Sequence, residues 1–116
     1  MNILDKTDEE ILEIANPMWK DLKKFSNNQN YIGFTKNFCK EMMRGANEIE
    51  IGKQWARNDL TKNLTAESEV MGVLRRGEHV SVLYRQTNNK MEGEYLGRLV
   101  LGYEDGKVKI FGATIF

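Results

Sequence analysis

Tyr95-Leu96-Gly97-Arg98-Leu99-Val100-Leu101-Gly102-Tyr103-Glu104-Asp105-Gly106-Lys107-Val108-Lys109-Ile110 is the stretch that decides the fold. Asp105-Gly106 is a strong hairpin signal, because both central residues of a type I′ turn need positive φ. A two-residue turn there sets Glu104 opposite Lys107 and Leu101 opposite Ile110. Opposite charges and like apolar residues then face each other, which is the cross-strand preference. Two breaks upstream, Asn88-Asn89 and Arg76-Gly77, read as further turns of the same meander. The first sets Arg85 opposite Glu92 and Val82 opposite Tyr95. The second sets Arg75 opposite Glu78 and Val73 opposite Val80. From Thr65 onward the chain is expected to form a four-stranded antiparallel sheet.

These registers give the sheet two apolar faces. Met71, Val73, Val80, Val82, Tyr84, Tyr95, Leu99, Leu101, Val108 and Ile110 share one, which is expected to pack under helices. Val70, Leu74, Leu83, Leu96, Val100, Phe111, Ala113 and Ile115 share the other, interrupted by Arg85, Arg98 and Lys109. An antiparallel sheet can leave one side wet, but this second side is too apolar for that role. A large apolar patch marks an interaction surface. Either a symmetric dimer buries it, or the sheet curls and some of these residues line a cavity. The dimer reading makes Leu83, Arg98, Val100, Phe111, Ala113 and Ile115 the interface. Arg98 could pair with an acid across it, bind an anion, or snorkel from a partly buried face.

Upstream of the sheet the apolar period changes to that of helices. Thr7 and Glu10 form a capping-box pattern. Ile11, Ile14, Ala15, Met18, Leu22 and Phe25 then make a helical stripe. The stripe keeps phase across Pro17, which predicts a kinked or closely joined helix. After Ser26-Asn27-Asn28-Gln29, Asn30 is a cap for a second helix carrying Tyr31, Phe34, Phe38, Cys39 and Met42, ended by Gly45. A third runs from about Asn47 to Asp59 on Ile51 and Trp55. The fold class is α+β.

The chain has 116 residues, with 17 basic and 17 acidic side chains and no basic stripe. A nucleic-acid partner is therefore not expected. Lys20, Lys23 and Lys24 cluster around Asp21 and read as a solvated helix face. Cys39 reads as a packing residue in an apolar helix. No internal disulfide is possible, and neither the lone cysteine nor the lone His79 suggests a metal site. The first residues lack the basic start and apolar run of a secretory signal, and no segment is long and apolar enough to span a membrane. A cytoplasmic location and no cofactor are expected.

The stretch Asn28-Gln29-Asn30-Tyr31-Ile32-Gly33-Phe34-Thr35-Lys36-Asn37-Phe38 resembles the joint between the first two helices of the nuclear transport factor 2-like superfamily. Gly102-Tyr103-Glu104-Asp105-Gly106-Lys107-Val108-Lys109-Ile110-Phe111-Gly112 resembles its last hairpin. The resemblance covers about Glu10 to Phe116. It implies one domain over residues 1–116, in which a curved, cone-like sheet of the cystatin-like type wraps a long helix. It also implies a pocket on the concave side and a homodimer across the sheet. Members include isomerases, dehydratases, cyclases, transport adaptors and domains of unknown function, so fold does not fix function. The chain departs from the pattern in lacking a clear strand between its second and third helices. It also offers no motif on which to place a catalytic base.

Trp19 and Trp55 could stack a flat ligand at the open end of such a cone, and Tyr31, Tyr84 and Tyr95 could donate hydrogen bonds to it. Asp59, Glu69 and His79 are the candidate bases, each with a simpler role as a solvated residue near an element end. The leading expectation is a dimeric, non-catalytic domain that binds a small apolar ligand or a protein partner. The alternative is a cofactor-free isomerase, cyclase or dehydratase, and a third is an adaptor working through surface contacts.

Overall fold

The computed structural model describes residues 2–116; Met1 lies outside the described residues. Helices α1 (Asp8–Asn27), α2 (Tyr31–Thr35), α3 (Lys40–Gly45) and α4 (Glu48–Arg57) precede strands β1 (Leu64–Arg76), β2 (His79–Asn88), β3 (Tyr95–Glu104) and β4 (Lys107–Ile115). The strands form one antiparallel sheet in the order β1-β2-β3-β4, curved and not closed, with the helices packed against it. This is the α+β architecture expected from the sequence.

The helix starts follow local chemistry. Thr7 Oγ1 accepts from the Glu10 amide, while Glu10 accepts from the Thr7 amide at 2.9 Å. Those hydrogen bonds hold the exposed Glu10 carboxyl below its usual range. Asn30 and Asn47 cap α2 and α4 in the same way, through Gly33 and Glu50 amides. α1 runs as one helix through Pro17. The proline lacks the N–H that would bond the Glu13 carbonyl, but both residues are exposed, so the carbonyl need not be buried unpaired.

The second predicted helix is two helices. After α2 the chain leaves helical geometry, and Phe38 makes a parallel bridge with Ile110 on the free edge of β4. Cys39 N donates to Ile110 O and Ile110 N to Asn37 O. The unpaired edge of β4 thus gains a short partner, which outweighs continued helix. Cys39 then caps α3, its buried thiol accepting from the Met42 amide.

Three registers decide the faces. Asp105-Gly106 is a turn with φ of 53° and 77°, and Glu104 pairs with Lys107 and Leu101 with Ile110 as expected. The first hairpin turns on Gly77-Glu78 rather than Arg76-Gly77. Gly77 takes φ 62° at the first central position, the type II′ arrangement, so Val73 faces Val82 and Arg75 faces Val80. The β2–β3 connection spans 89–94, not two residues, and pairs Gln86 with Tyr95 and Val82 with Leu99. The expected Asn88-Asn89 turn fails because Asn88 is a buried anchor. Its amide donates to Asp59 O and Lys62 O, and its oxygen accepts from the Lys90 and Met91 amides.

Register shifts finish the assignment. One in β1 between Val70 and Gly72 brings Val70 and Val73 both to the core and leaves Met71 52% exposed. One in β4 at Phe111 puts Ala113 opposite Leu99 and Ile115 opposite Gly97, on the helix side. Both residues were expected on the outer face. The core is Ile11, Ala15, Trp19 and Leu22 of α1 against Val80, Val82, Tyr84, Leu99, Leu101 and Ile110 of the sheet, with Ile51 and Trp55 of α4. Ile3, fully buried from the N-terminal 3-10 turn, joins it. Arg75 ties that turn down by donating to Asp8 and to the Lys6 carbonyl, both at 2.7 Å.

Candidate functional site

A half-open cavity of about 190 Å³ lies between α1, the α2–α4 segment and the end of β4. Trp19, Leu22, Lys23 and Ser26 of α1 form one wall. Phe34, Phe38, Met42 and Ala46 form a second, Ile51 and Trp55 of α4 a third, and Ala113 and Ile115 of β4 a fourth.

The aromatic walls are fixed by stacking and by buried hydrogen bonds. Trp19 stacks on Tyr84, ring centroids 5.0 Å apart and planes within 7°. Its indole N–H donates to Gln86 Oε1 at 3.3 Å. Gln86 is fully buried, and its amide donates to Thr65 O, Thr65 Oγ1 and Thr87 O. Trp55 meets Phe34 edge to face at 5.4 Å, and Phe34 meets Phe38 at 5.3 Å. The Trp55 N–H donates to Ser26 Oγ at 2.9 Å, and that hydroxyl donates to Thr61 O. Both tryptophans thus satisfy their polar edge while presenting rings to the cavity.

Gly97 makes the Trp19 placement possible. A Cβ there would lie 2.3 Å from the indole, so only a glycine lets the ring lie directly on β3.

Lys23 is the one ionisable side chain lining the cavity among the described residues. It is not on a solvated face, as the cluster with Lys20 and Lys24 suggested; it is 3% exposed. Its ammonium donates to Thr65 O at 3.0 Å and Ala66 O at 2.9 Å. Burial lowers its pKa to about 8, since desolvation disfavours the charged form.

Of the residues singled out in the sequence, Trp19 and Trp55 line this cavity together. Tyr31 does not; its hydroxyl donates to Ala46 O at 2.7 Å. Tyr95 lies at the β2–β3 loop, donating to Glu92 O. Tyr84 lies behind Trp19 and donates to Asn16 Oδ1 at 2.8 Å, and burial holds its phenol proton well above the ordinary range. His79 packs against Phe111 on the outer face, at 4.6 Å between centroids. Glu69 pairs with Arg85 there, and Asp59 sits exposed in a 3-10 turn. Leu83, Arg98, Val100 and Phe111 remain on the outer face, which also exposes Leu74 by 56%.

Ser26, Lys23 and Gln86 were not foreseen. Each is a polar residue whose burial depends on a partner more than 20 residues away, so no local pattern marks it. Among the described residues no cluster of three or more His, Cys, Asp or Glu could hold a metal ion, and no helix is long and apolar enough to cross a membrane. No protein-family profile, curated protein or solved structure matches the chain.

Proposed function

We propose that this chain is a non-catalytic binding domain whose cavity holds a small, predominantly apolar molecule against Trp19, Phe34 and Trp55. The observation that carries this is the composition of the cavity wall: four aromatic rings and aliphatic side chains, joined by neutral polar side chains such as Ser26, Gln54 and Thr61, with a single ionisable group. Acid–base chemistry needs a carboxylate or imidazole within hydrogen-bond reach of the reacting atoms, together with a donor for developing charge. Neither His79, Glu69 nor Asp59 lines the cavity, although Asp59 stands in the 3-10 turn beside lining residues Asn58 and Thr61, and the Tyr84 hydroxyl is engaged by Asn16. Binding is therefore favoured over the isomerase, cyclase or dehydratase alternative.

The nuclear transport factor 2-like resemblance belongs to this reading. It is supported by helices followed by a curved meander, by the Asn30 cap that opens the Tyr31 helix, and by a cavity on the helix-facing side of the sheet. A homodimer through the outer face completes it. Met71 and Leu74 are more than half exposed there, beside half-buried Leu83, Val100 and Phe111. A two-fold axis would set like apolar patches together. A reducing, cytoplasmic setting suits the free, buried Cys39.

The test of the cavity is titration with 3-phenylpropanamide, followed by tryptophan near-UV circular dichroism. Saturable binding is expected, and Ala113→Leu, which fills the space, is expected to abolish it without lowering stability. Absence of binding by this probe and by its carboxylate analogue sinks the reading. For the dimer, sedimentation velocity should show a two-chain species that Val100→Glu converts to one chain; a monomeric parent protein refutes it.

A further inference from the structure

The close lysine contacts with acids are made by other lysines, toward the surface: Lys36 with Asp21, Lys40 with Asp105, Lys53 with Glu50 and Lys62 with Asp59. Lys23 is the buried lysine, and among the described residues no carboxylate pairs with it. An ammonium carries three donors. Two serve Thr65 O and Ala66 O, carbonyls left off the ladder where β1 changes register between Leu64 and Ser68. The third N–H has no protein acceptor among the described residues. A neutral amide could satisfy two carbonyls without the cost of burying an uncompensated charge. Lys23 lines both the apolar cavity and a second, more open cleft between α1 and β1.

We infer that the molecule held in the cavity is an amphipathic acid, its compact aromatic or branched-alkyl body against Trp19 and Trp55 and its carboxylate on the Lys23 ammonium. This deepens the reading of the cavity as a binding site and rests on it. Size sets the class. A dry cavity of about 150 Å³ is known to accept benzene, so about 190 Å³ takes one ring with a short side chain. One free N–H suits a carboxylate oxygen. The charge-assisted bond is the strong kind, and the lysine that makes it is 3% exposed.

The experiment is calorimetric titration of the full chain with 3-phenylpropanoate and with its neutral isostere 3-phenylpropanamide. At pH 7 the acid is expected to bind at least tenfold more tightly. Raising the pH through about 8 removes the Lys23 proton, and the preference for the acid should fall toward unity while amide binding stays level. The charged and titratable groups that share the second cleft with Lys23 are Lys20 on α1, Glu67 on β1 and Tyr84 on β2. Lys23→Met separates their effect: the acid should weaken to the affinity of the amide, with no remaining pH dependence. Equal binding of acid and amide by the parent protein overturns the inference and leaves the cavity reading standing. Binding of neither probe overturns both. A preference for the acid that survives Lys23→Met also overturns the inference. Should that variant fail to fold, the parent protein's acid-to-amide ratio across pH still decides.

Discussion

Gly97→Ala should be among the most damaging single-methyl additions in this protein. The new Cβ would stand 2.3 Å from Cζ2 and 2.7 Å from Cη2 of Trp19. Carbon atoms are comfortable at about 3.5–4.0 Å, so the indole would have to withdraw by about 1.3 Å. It has little freedom to do so. One face lies on Tyr84 at 5.0 Å, and the N–H is engaged by buried Gln86. Withdrawal loses part of the stack, worth about 0.5–1.5 kcal/mol, and overpacking costs about 1–3 kcal/mol more. A total near 3 kcal/mol is a large share of the stability of a domain this size. Urea unfolding followed by far-UV circular dichroism gives the measurement: the midpoint should fall by about 1–2 M with the slope unchanged. Gly72→Ala is the control, because a Cβ there meets nothing within 4 Å, and its stability should stay within about 0.5 kcal/mol of the parent. A Gly97→Ala variant as stable as the Gly72→Ala control would mean that Trp19 is not seated on β3, and the cavity wall would have to be redrawn.

Ser26→Ala strips the acceptor from the Trp55 N–H and the donor from Thr61 O, so thermal unfolding should show a loss of about 1–3 kcal/mol. Gly52, exposed in the interior of α4 with open space around its Cα, should gain about 0.5–1 kcal/mol on replacement by Ala, read as a higher urea midpoint. Lys23, with a folded pKa of about 8 against 10.5 unperturbed, binds its proton more weakly folded than unfolded. Stability should therefore rise with pH above about 8, by up to about 1.4 kcal/mol per unit, until Tyr84 reverses the trend above its unfolded value of 10.0. Urea midpoints at pH 7.5 and 9.5 test the sign, and Lys23→Met should flatten the difference. The Cys39 thiol is buried and should react with an aromatic disulfide reagent only as the chain unfolds; a fast native reaction would show that the Phe38 bridge opens readily.

The sequence was legible where structure depends on nearest neighbours. Thr7 with Glu10, Asn30 and Asn47 mark helix starts because the capping hydrogen bond spans only a few residues. Asp105-Gly106 marks a hairpin because the turn geometry is set by its own two residues. Misreadings came where a distant partner decides. Gly77 serves the turn one residue later than Arg76-Gly77 implied, and Asn88 looks like a turn residue until Asp59 and Lys62 supply acceptors for its amide. Phe38 lies in helical phase with Phe34 and Met42, yet the free edge of β4 captures its backbone. The two tryptophans of the cavity were foreseen from the cone that the family resemblance implies, whereas the burial of Lys23 follows from β1 carbonyls outside the strand ladder that no local pattern reveals.

The register shift at Phe111 links the two surfaces on which function is proposed. Without the extra residue, strict alternation would carry Ala113 and Ile115 to the outer face with Phe111. The shift sends them inward, opposite Leu99 and Gly97, where they form the β4 wall of the cavity. Phe111 itself stays outside, its ring against His79, and a Cβ at Gly102 would touch both rings. The outer face is consequently less apolar than straight strands would make it, and the inner face is extended beyond the core to the cavity's rim. Cavity and outer face are therefore not independent features. A change that straightened β4 would enlarge the apolar outer surface and remove a cavity wall together, so ligand binding and self-association should respond in opposite directions to any alteration of that one irregularity.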